Sequence, residues 1–335
     1  MGNATSQLIW PDQMPQPNSR SASHGPPQKR GKLYFALFLL LSFVCLAIAL
    51  YEADYLHVPT TYSVSKMLLS VILLLAAFGP ASLAWQYALL AEGHRVSFRT
   101  CIASTGLSVF GKYIPGKVWL AIGRASYVAQ LYNLPTKRLS VTSLNVQLLG
   151  IWTALSISGI GLAVVKQLPQ VNWIVAAAWL TLTVALFTSR GHELAGQIAR
   201  SALKREVNIP YLGFATALKL TPFWLMSWAL RGAAFYFLVC SLVPNDLPLA
   251  IALAFPLAVS LGMIAFFVPG GLGVREGLIA AYLIELGMIP ASAVSIAIVA
   301  RLWTLVSEIL IFLVSAVIHV RTSGVQPETM AKSHY

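Results

Sequence analysis

Runs of about twenty uncharged apolar residues recur along most of the chain, and a run of that length leaves the backbone few choices. Twenty residues of α-helix cover the roughly 30 Å of hydrocarbon in a bilayer. Within hydrocarbon only helices and closed barrels satisfy every backbone donor and acceptor. Six segments qualify as spans: Leu33 to Tyr51, Met67 to Leu90, Ser140 to Val165, Trp173 to Thr188, Pro222 to Val243 and Ala291 to Val320. Pro80 predicts a kink in the second. Arg231 interrupts the fifth, and Arg301 and Glu308 the sixth. The 335 residues are 57% hydrophobic and only 10% charged, with a mean hydropathy of +0.73. Soluble domains carry about 25% charged residues. That deficit excludes a soluble enzyme.

Two further apolar regions are broken in the middle. Cys101 to Leu131 contains Gly111-Lys112-Tyr113-Ile114-Pro115-Gly116-Lys117 and then Arg124. Pro248 to Leu286 contains Val268-Pro269-Gly270-Gly271-Leu272-Gly273-Val274-Arg275-Glu276. Pro and Gly at membrane depth free backbone groups that must be buried in protein or face a wet cavity. Both regions read as re-entrant helical hairpins. The expected fold is therefore all-α, a polytopic transmembrane bundle of about six full spans plus two re-entrant hairpins.

The basic residues set the orientation. With the N-terminus inside and each hairpin returning to its side of entry, 14 Lys and Arg fall on the cytoplasmic side. They are Arg20, Lys29, Arg30, Lys32, Arg95, Arg99, Lys137, Arg138, Arg190, Arg200, Lys204, Arg205, Arg321 and Lys332. Only Lys66 and Lys166 fall outside. This positive-inside bias places both termini in the cytoplasm. The net charge of +12 thus follows membrane topology and anionic lipid headgroups, and nucleic acid is not an expected partner. On this topology the first hairpin enters from inside and the second from outside. Tyr113-Ile114-Pro115-Gly116 aligns with Phe267-Val268-Pro269-Gly270, and an Arg follows each. An inverted repeat accounts for this; recurrence of Pro-Gly wherever membrane helices turn is the other reading.

Residues 1–32, rich in Pro, Ser, Gln and Asn, read as a disordered cytoplasmic tail. Residues 33–320 form the membrane domain, and 321–335 a short cytoplasmic tail. Gly191 to Pro210 reads as an amphipathic helix on the cytoplasmic face. The small residues along Ala250 to Gly262 and Ala291 to Ala300 suit helix packing, within the chain or between protomers of a homo-oligomer. Cys45, Cys101 and Cys240 are far apart, with no metal or redox spacing, and read as packing residues.

Charged residues inside a membrane are expensive, at about 2.5–3.5 kcal/mol each on insertion scales, and face the protein interior or water. Arg301 and Glu308 are seven residues apart on one helix face. Two turns separate them by about 10 Å, so each needs another partner. Lys112, Lys117, Arg124, Lys219, Arg231, Arg275 and Arg301 face only Glu276, Glu285 and Glu308. A cationic interior of this kind suits an anionic lipid headgroup, which Arg binds bidentately. The alternative is structural: these charged residues satisfy hairpin carbonyls or pair with one another. No hydrolase, zinc-protease or nucleotide-binding motif is present, no histidine stands where a ligand or base would, and no cofactor is implied.

The motif Phe267 to Glu276, followed by an apolar run and Ala300-Arg301-Leu302, resembles the signature of the lysylphosphatidylglycerol synthase transmembrane family. The flippase domain of the bacterial multiple peptide resistance factor belongs to that family. Gly111 to Trp119, with Gly123-Arg124, is similar to the family's Pro-Gly element near mid-domain. Pro269, Gly270, Gly271, Gly273 and Glu276 carry the pattern at the second hairpin, and Pro115, Gly116 and Arg124 at the first.

The resemblance implies a bacterial or archaeal cytoplasmic-membrane protein that moves or binds a lipid with a charged headgroup. In the resistance factors a cytosolic aminoacyltransferase domain follows. This chain ends at Tyr335, soon after its last span, so synthesis of an aminoacyl lipid is not expected of it. The expected function is a flippase-like transporter of a charged-headgroup or lipid-linked substrate. The expected substrate-binding residues are Lys112, Pro115, Gly116, Lys117, Arg124, Arg231, Pro269, Gly270, Gly271, Gly273, Arg275, Glu276, Arg301 and Glu308. Two alternatives stand beside it. One is a membrane enzyme with Glu276 or Glu308 as general base. The other is a non-catalytic partner of a separate synthase.

Overall fold

Apolar side chains on every helical face are tolerable only where lipid replaces water, and that is how this chain is arranged. The computed structural model describes residues 63–114, 118–164, 169–188, 213–244, 247–265 and 268–323, with a few positions between 190 and 197. Its elements are all helical. They are α1 (Val64–Ala76), α2 (Phe78–Ala91), α3 (Phe98–Leu107), α4 (Trp119–Tyr132) and α5 (Thr136–Val164). Then come α6 (Pro169–Phe187), α7 (Phe214–Leu242), α8 (Ala254–Ile264), α9 (Val274–Glu285) and α10 (Pro290–Ser323). Short 3₁₀ turns lie at Val109–Tyr113, Leu249–Leu253 and Pro269–Gly271. Among the described residues, four helical stretches are long and apolar enough to span: Val64–Ala91, Thr136–Ala163, Phe214–Leu242 and Pro290–Arg321. The expected first span, Leu33 to Tyr51, both terminal tails and most of the expected amphipathic helix lie outside the described residues.

Span Val64–Ala91 breaks at Ala77, between α1 and α2. Pro80 lacks an N–H, and its ring crowds the carbonyl four residues back, that of Ala76. The interruption falls one turn before Pro80, where the sequence predicts a kink. Pro222, taken from sequence as the start of a span, instead lies inside α7, which begins at Phe214.

Both broken regions are helix–turn–helix hairpins. The arms have 10 and 14 residues in the first (α3, α4) and 11 and 12 in the second (α8, α9). At 1.5 Å per residue they run about 15–21 Å, too short to cross ~30 Å of hydrocarbon. Each hairpin returns to where it started. At the mouth of the first, the Ser97 amide donates to the Tyr132 hydroxyl at 3.2 Å. At the mouth of the second, the Tyr282 hydroxyl donates to the Ala250 carbonyl at 3.2 Å.

Helix α5 shows that the mouths face opposite ways. Its first turns meet the first mouth, where Arg138 Nε donates to Glu92 at 3.0 Å and the Thr142 hydroxyl bonds the same carboxylate. Its last turns meet the second, where the Gly161 carbonyl stands 3.3 Å from the Tyr282 hydroxyl. The hairpins therefore enter from opposite ends of a spanning helix, and their 3₁₀ turns touch between them.

The packing has a two-fold pattern. Second arm α4 packs on the span that follows it, α5, and second arm α9 packs on the span that follows it, α10. First arm α3 packs on α10, and first arm α8 on α5, each crossing to the other half. Two span–hairpin–span units of opposite orientation give this exchange, the arrangement of an inverted repeat. The small residues of Ala250–Gly262 and Ala291–Ala300 serve packing within the chain, since Ala254, Ala258, Ala293, Ala297 and Ala300 are all buried in its core. Outward-facing Leu68, Ile72, Trp173, Leu180, Leu218 and Leu313 are exposed, as lipid-facing positions are.

Candidate functional site

The two hairpin tips and α10 are tied together by charge. Lys112, in the 3₁₀ turn of the first tip, pairs with Glu308 Oε1 on α10. The Tyr113 hydroxyl donates to Glu308 Oε2 at 2.8 Å. Arg301, two turns earlier on α10, donates to the carbonyl of Gly270 at the second tip at 3.3 Å and lies 3.7 Å from Glu276. Glu276 also caps α9 by accepting the Gly273 amide at 2.7 Å. Arg301 and Glu308 thus have separate partners, as their spacing demands, and α10 holds one tip with each.

Glycine permits the tips to meet. Gly270 has φ 61°, and a Cβ there would stand 2.7 Å from the Tyr113 ring. Gly262 on α8 similarly leaves room for the Arg275 side chain, which an added Cβ would strike. The Arg301 guanidinium lies 5.3 Å from the centre of the Tyr113 ring, so that ring packs beside both the second tip and the α10 cation that bonds it.

Beside the tips is a cavity of about 150 Å³. Lys112, Arg124, Arg231, Arg275 and Glu308 border it, with Gly270, Gln147, Trp224, Trp228 and Phe255. Pockets for drug-sized ligands run to about 300–1,000 Å³, so this one suits a headgroup and not a whole lipid. Its walls include residues of two hydrophobic clusters, one around Trp85, Trp224 and Trp228 and the other around Phe235, Phe255 and Trp303.

Aromatic rings and serine oxygens hold the arginines. Arg124, 2% exposed, donates from Nε to Ser143 Oγ at 3.0 Å and from Nη2 to the Ser143 carbonyl at 2.8 Å, 4.6 Å from the Trp85 ring centre. Arg231 donates to Ser227 Oγ at 3.2 Å, with Phe78 and Trp228 at 5.0 and 5.5 Å. Arg275, 7% exposed, lies 5.7 Å from Phe255, and its Nε has no hydrogen-bond partner among the described residues. Gln147 Oε1 and Trp224 Nε1, also at the cavity, are likewise unpartnered. Buried polar atoms are rarely left so.

Of the residues expected from sequence to bind substrate, Lys112, Arg124, Arg231, Gly270, Arg275 and Glu308 border the cavity. Glu276 and Arg301 stand next to it through their bonds to the second tip; Gly271 and Gly273 shape that tip, both with positive φ. Pro269 opens its 3₁₀ turn. Pro115, Gly116 and Lys117 lie outside the described residues. Lys219, counted from sequence among the interior cations, is exposed near the start of α7, and Glu285 ends α9 at the hairpin mouth. Sequence reasoning missed Tyr113, Trp224, Trp228, Phe255, Ser143 and Ser227. Ser227 and Trp228 were findable, at four and three residues before Arg231 on its own helix face.

Opposed half-length hairpins meeting beside a cation-lined cavity define a class, the polytopic helical membrane proteins built from oppositely oriented re-entrant hairpins. Within it, the chain belongs to the family of the lysylphosphatidylglycerol synthase TM region, whose model matches residues 33–311. None of the curated proteins compared with the chain matches it.

Proposed function

We propose that this protein is a flippase-like carrier that takes a charged or lipid-linked headgroup from one leaflet of the cytoplasmic membrane to the other. The observation that carries this reading is the meeting of two oppositely entering hairpins at a cavity lined by buried and half-buried cations. A headgroup there is sheltered from hydrocarbon while its acyl chains remain in lipid. Rocking of one span–hairpin–span unit against the other opens the cavity to each side in turn. Exposed Arg95, Arg99, Lys137, Arg138 and Arg321 lie towards the first hairpin's mouth, which supports a cytoplasmic position for that end.

Carriage is favoured over chemistry because both carboxylates near the cavity are engaged. Glu308 holds Lys112 and Tyr113, and Glu276 caps a helix, which supports a structural role for each over that of a general base. A separate synthase that supplies the lipid is compatible with the carrier reading.

The test is lipid exchange in liposomes. Purified protein is reconstituted with headgroup-labelled anionic, zwitterionic and cationic lipids, and leaflet accessibility is followed with a membrane-impermeant quencher. Exchange faster than in empty liposomes, and lost in Arg275→Ala, is the expected result. No acceleration with any lipid would remove the carrier reading.

A further inference from the structure

We infer that the cavity selects a headgroup with at least two negative charges, a phosphate monoester or a diphosphate, over singly anionic, zwitterionic or cationic headgroups. The inference rests on the reading of the cavity as a headgroup site and names the chemistry of its ligand.

Charge balance carries it. Four cations, Lys112, Arg124, Arg231 and Arg275, border the cavity with a single carboxylate, Glu308. That carboxylate is taken by Lys112, and the adjacent Arg301 is matched by Glu276. Arg124, Arg231 and Arg275 form no salt bridge among the described residues. Their hydrogen bonds and ring contacts are to Ser143, Ser227 and aromatic faces. The two carboxylates that act on Arg231 and Arg275 from a distance, Glu308 and Glu276, are already engaged by Lys112 and Arg301. A buried charge left uncompensated costs several kcal/mol even after relaxation, so two buried arginines and the half-buried Arg231 at one cavity call for an anion to neutralise them.

A phosphodiester headgroup brings one negative charge and leaves most of the surplus. A phosphate monoester brings about −1.5 to −2 at pH 7 and three acceptor oxygens, and a diphosphate brings more. Guanidinium is the side chain best shaped to hold such oxygens in pairs. The unpartnered Nε of buried Arg275 and Nε1 of Trp224 are donors in place for them. A lysyl ester of phosphatidylglycerol, by contrast, adds amines to a site already rich in cations.

The test measures binding by the full chain in detergent, apart from transport. The probes are dioctanoyl phosphatidic acid, dioctanoyl phosphatidylglycerol, dioctanoyl phosphatidylcholine and a dioctanoyl trimethylammonium lipid, equal in chain length. Phosphatidic acid is expected to bind at least about tenfold more tightly than the other three. Arg231→Gln and Arg275→Gln should each cut its affinity about tenfold while leaving phosphatidylglycerol within about threefold. Arg275→Lys, which keeps the charge, should keep the preference; it decides the matter if the Gln variants do not fold.

Equal affinity for phosphatidic acid and phosphatidylglycerol, or tightest binding of the cationic lipid, would overturn the inference. Inorganic pyrophosphate and phosphate form the second arm. Binding of either as tight as that of the lipid would identify a free anion as the ligand and overturn the headgroup assignment. The two readings fail separately. Exchange of phosphatidylglycerol in liposomes without selectivity in binding leaves the carrier and removes this inference; selective binding without exchange does the reverse.

Discussion

At the scale of single residues, the Lys112–Glu308 pair is the most consequential contact at the site. Its members are 196 residues apart, and Glu308 is 2% exposed. Removing one partner of a buried pair strands the other charge, at a cost of about 3–5 kcal/mol, whereas replacing both with neutral groups of similar size is often tolerated. Glu308→Gln is therefore expected to lower the thermal midpoint in detergent sharply, and Lys112→Met with Glu308→Gln to recover most of the loss. A double variant no better than the single one would mean that the pair is not what holds α10 to the first tip. Gly270 presents a steric case. Gly270→Ala forces a side chain onto a positive φ and into the Tyr113 ring, and backbone strain of that kind costs of order 1–3 kcal/mol. It should destabilise the protein by that amount, with Tyr113→Ala in the same chain restoring only the steric share. None of these pairings was legible beforehand. Sequence shows that Lys112, Arg301 and Glu308 are costly and that Arg301 and Glu308 share a face. Which tip each one reaches is decided by how the hairpins fold back.

At the scale of elements, the hairpins were the most readable part of the chain, because a Pro-Gly break inside an apolar run has few satisfactory solutions in lipid. Their arms begin or end within a few residues of where composition put them: Phe98 to Tyr132 against Cys101 to Leu131. Pro222 misled for the opposite reason. A proline was read as a boundary, yet α7 continues through it, as membrane helices can where neighbouring groups re-satisfy the freed carbonyl. The opposed entry of the hairpins makes a direct prediction. Leu131 and Leu249, exposed at the first and second mouths, can be replaced by cysteine in a chain whose Cys45, Cys101 and Cys240 are changed to Ala or Ser. A membrane-impermeant maleimide should label Leu131→Cys only from the cytoplasmic side and Leu249→Cys only from the other. Labelling of both from one side would contradict the inverted arrangement.

At the scale of the whole molecule, the two halves depend on each other because each first arm packs against the other half's span. The cavity lies among side chains of both hydrophobic clusters, so a ligand seated there touches both. A ligand that binds only the folded state stabilises by mass action, about 2.7 kcal/mol at a hundred times its dissociation constant. Because α3 and α8 cross between halves, that stabilisation cannot be confined to one of them. Dioctanoyl phosphatidic acid is therefore expected to raise a single, sharp unfolding transition by several degrees in detergent, followed by intrinsic tryptophan fluorescence. Arg275→Gln, with its tenfold weaker binding, should cut the rise to about half while leaving the transition single. Two resolved transitions, only one of them moved by the lipid, would show that the span–hairpin–span units fold independently. Rocking of one against the other would then need a looser interface than this packing provides. A single transition that rises with ligand fits a carrier whose halves move as rigid bodies about a shared, cation-lined seam.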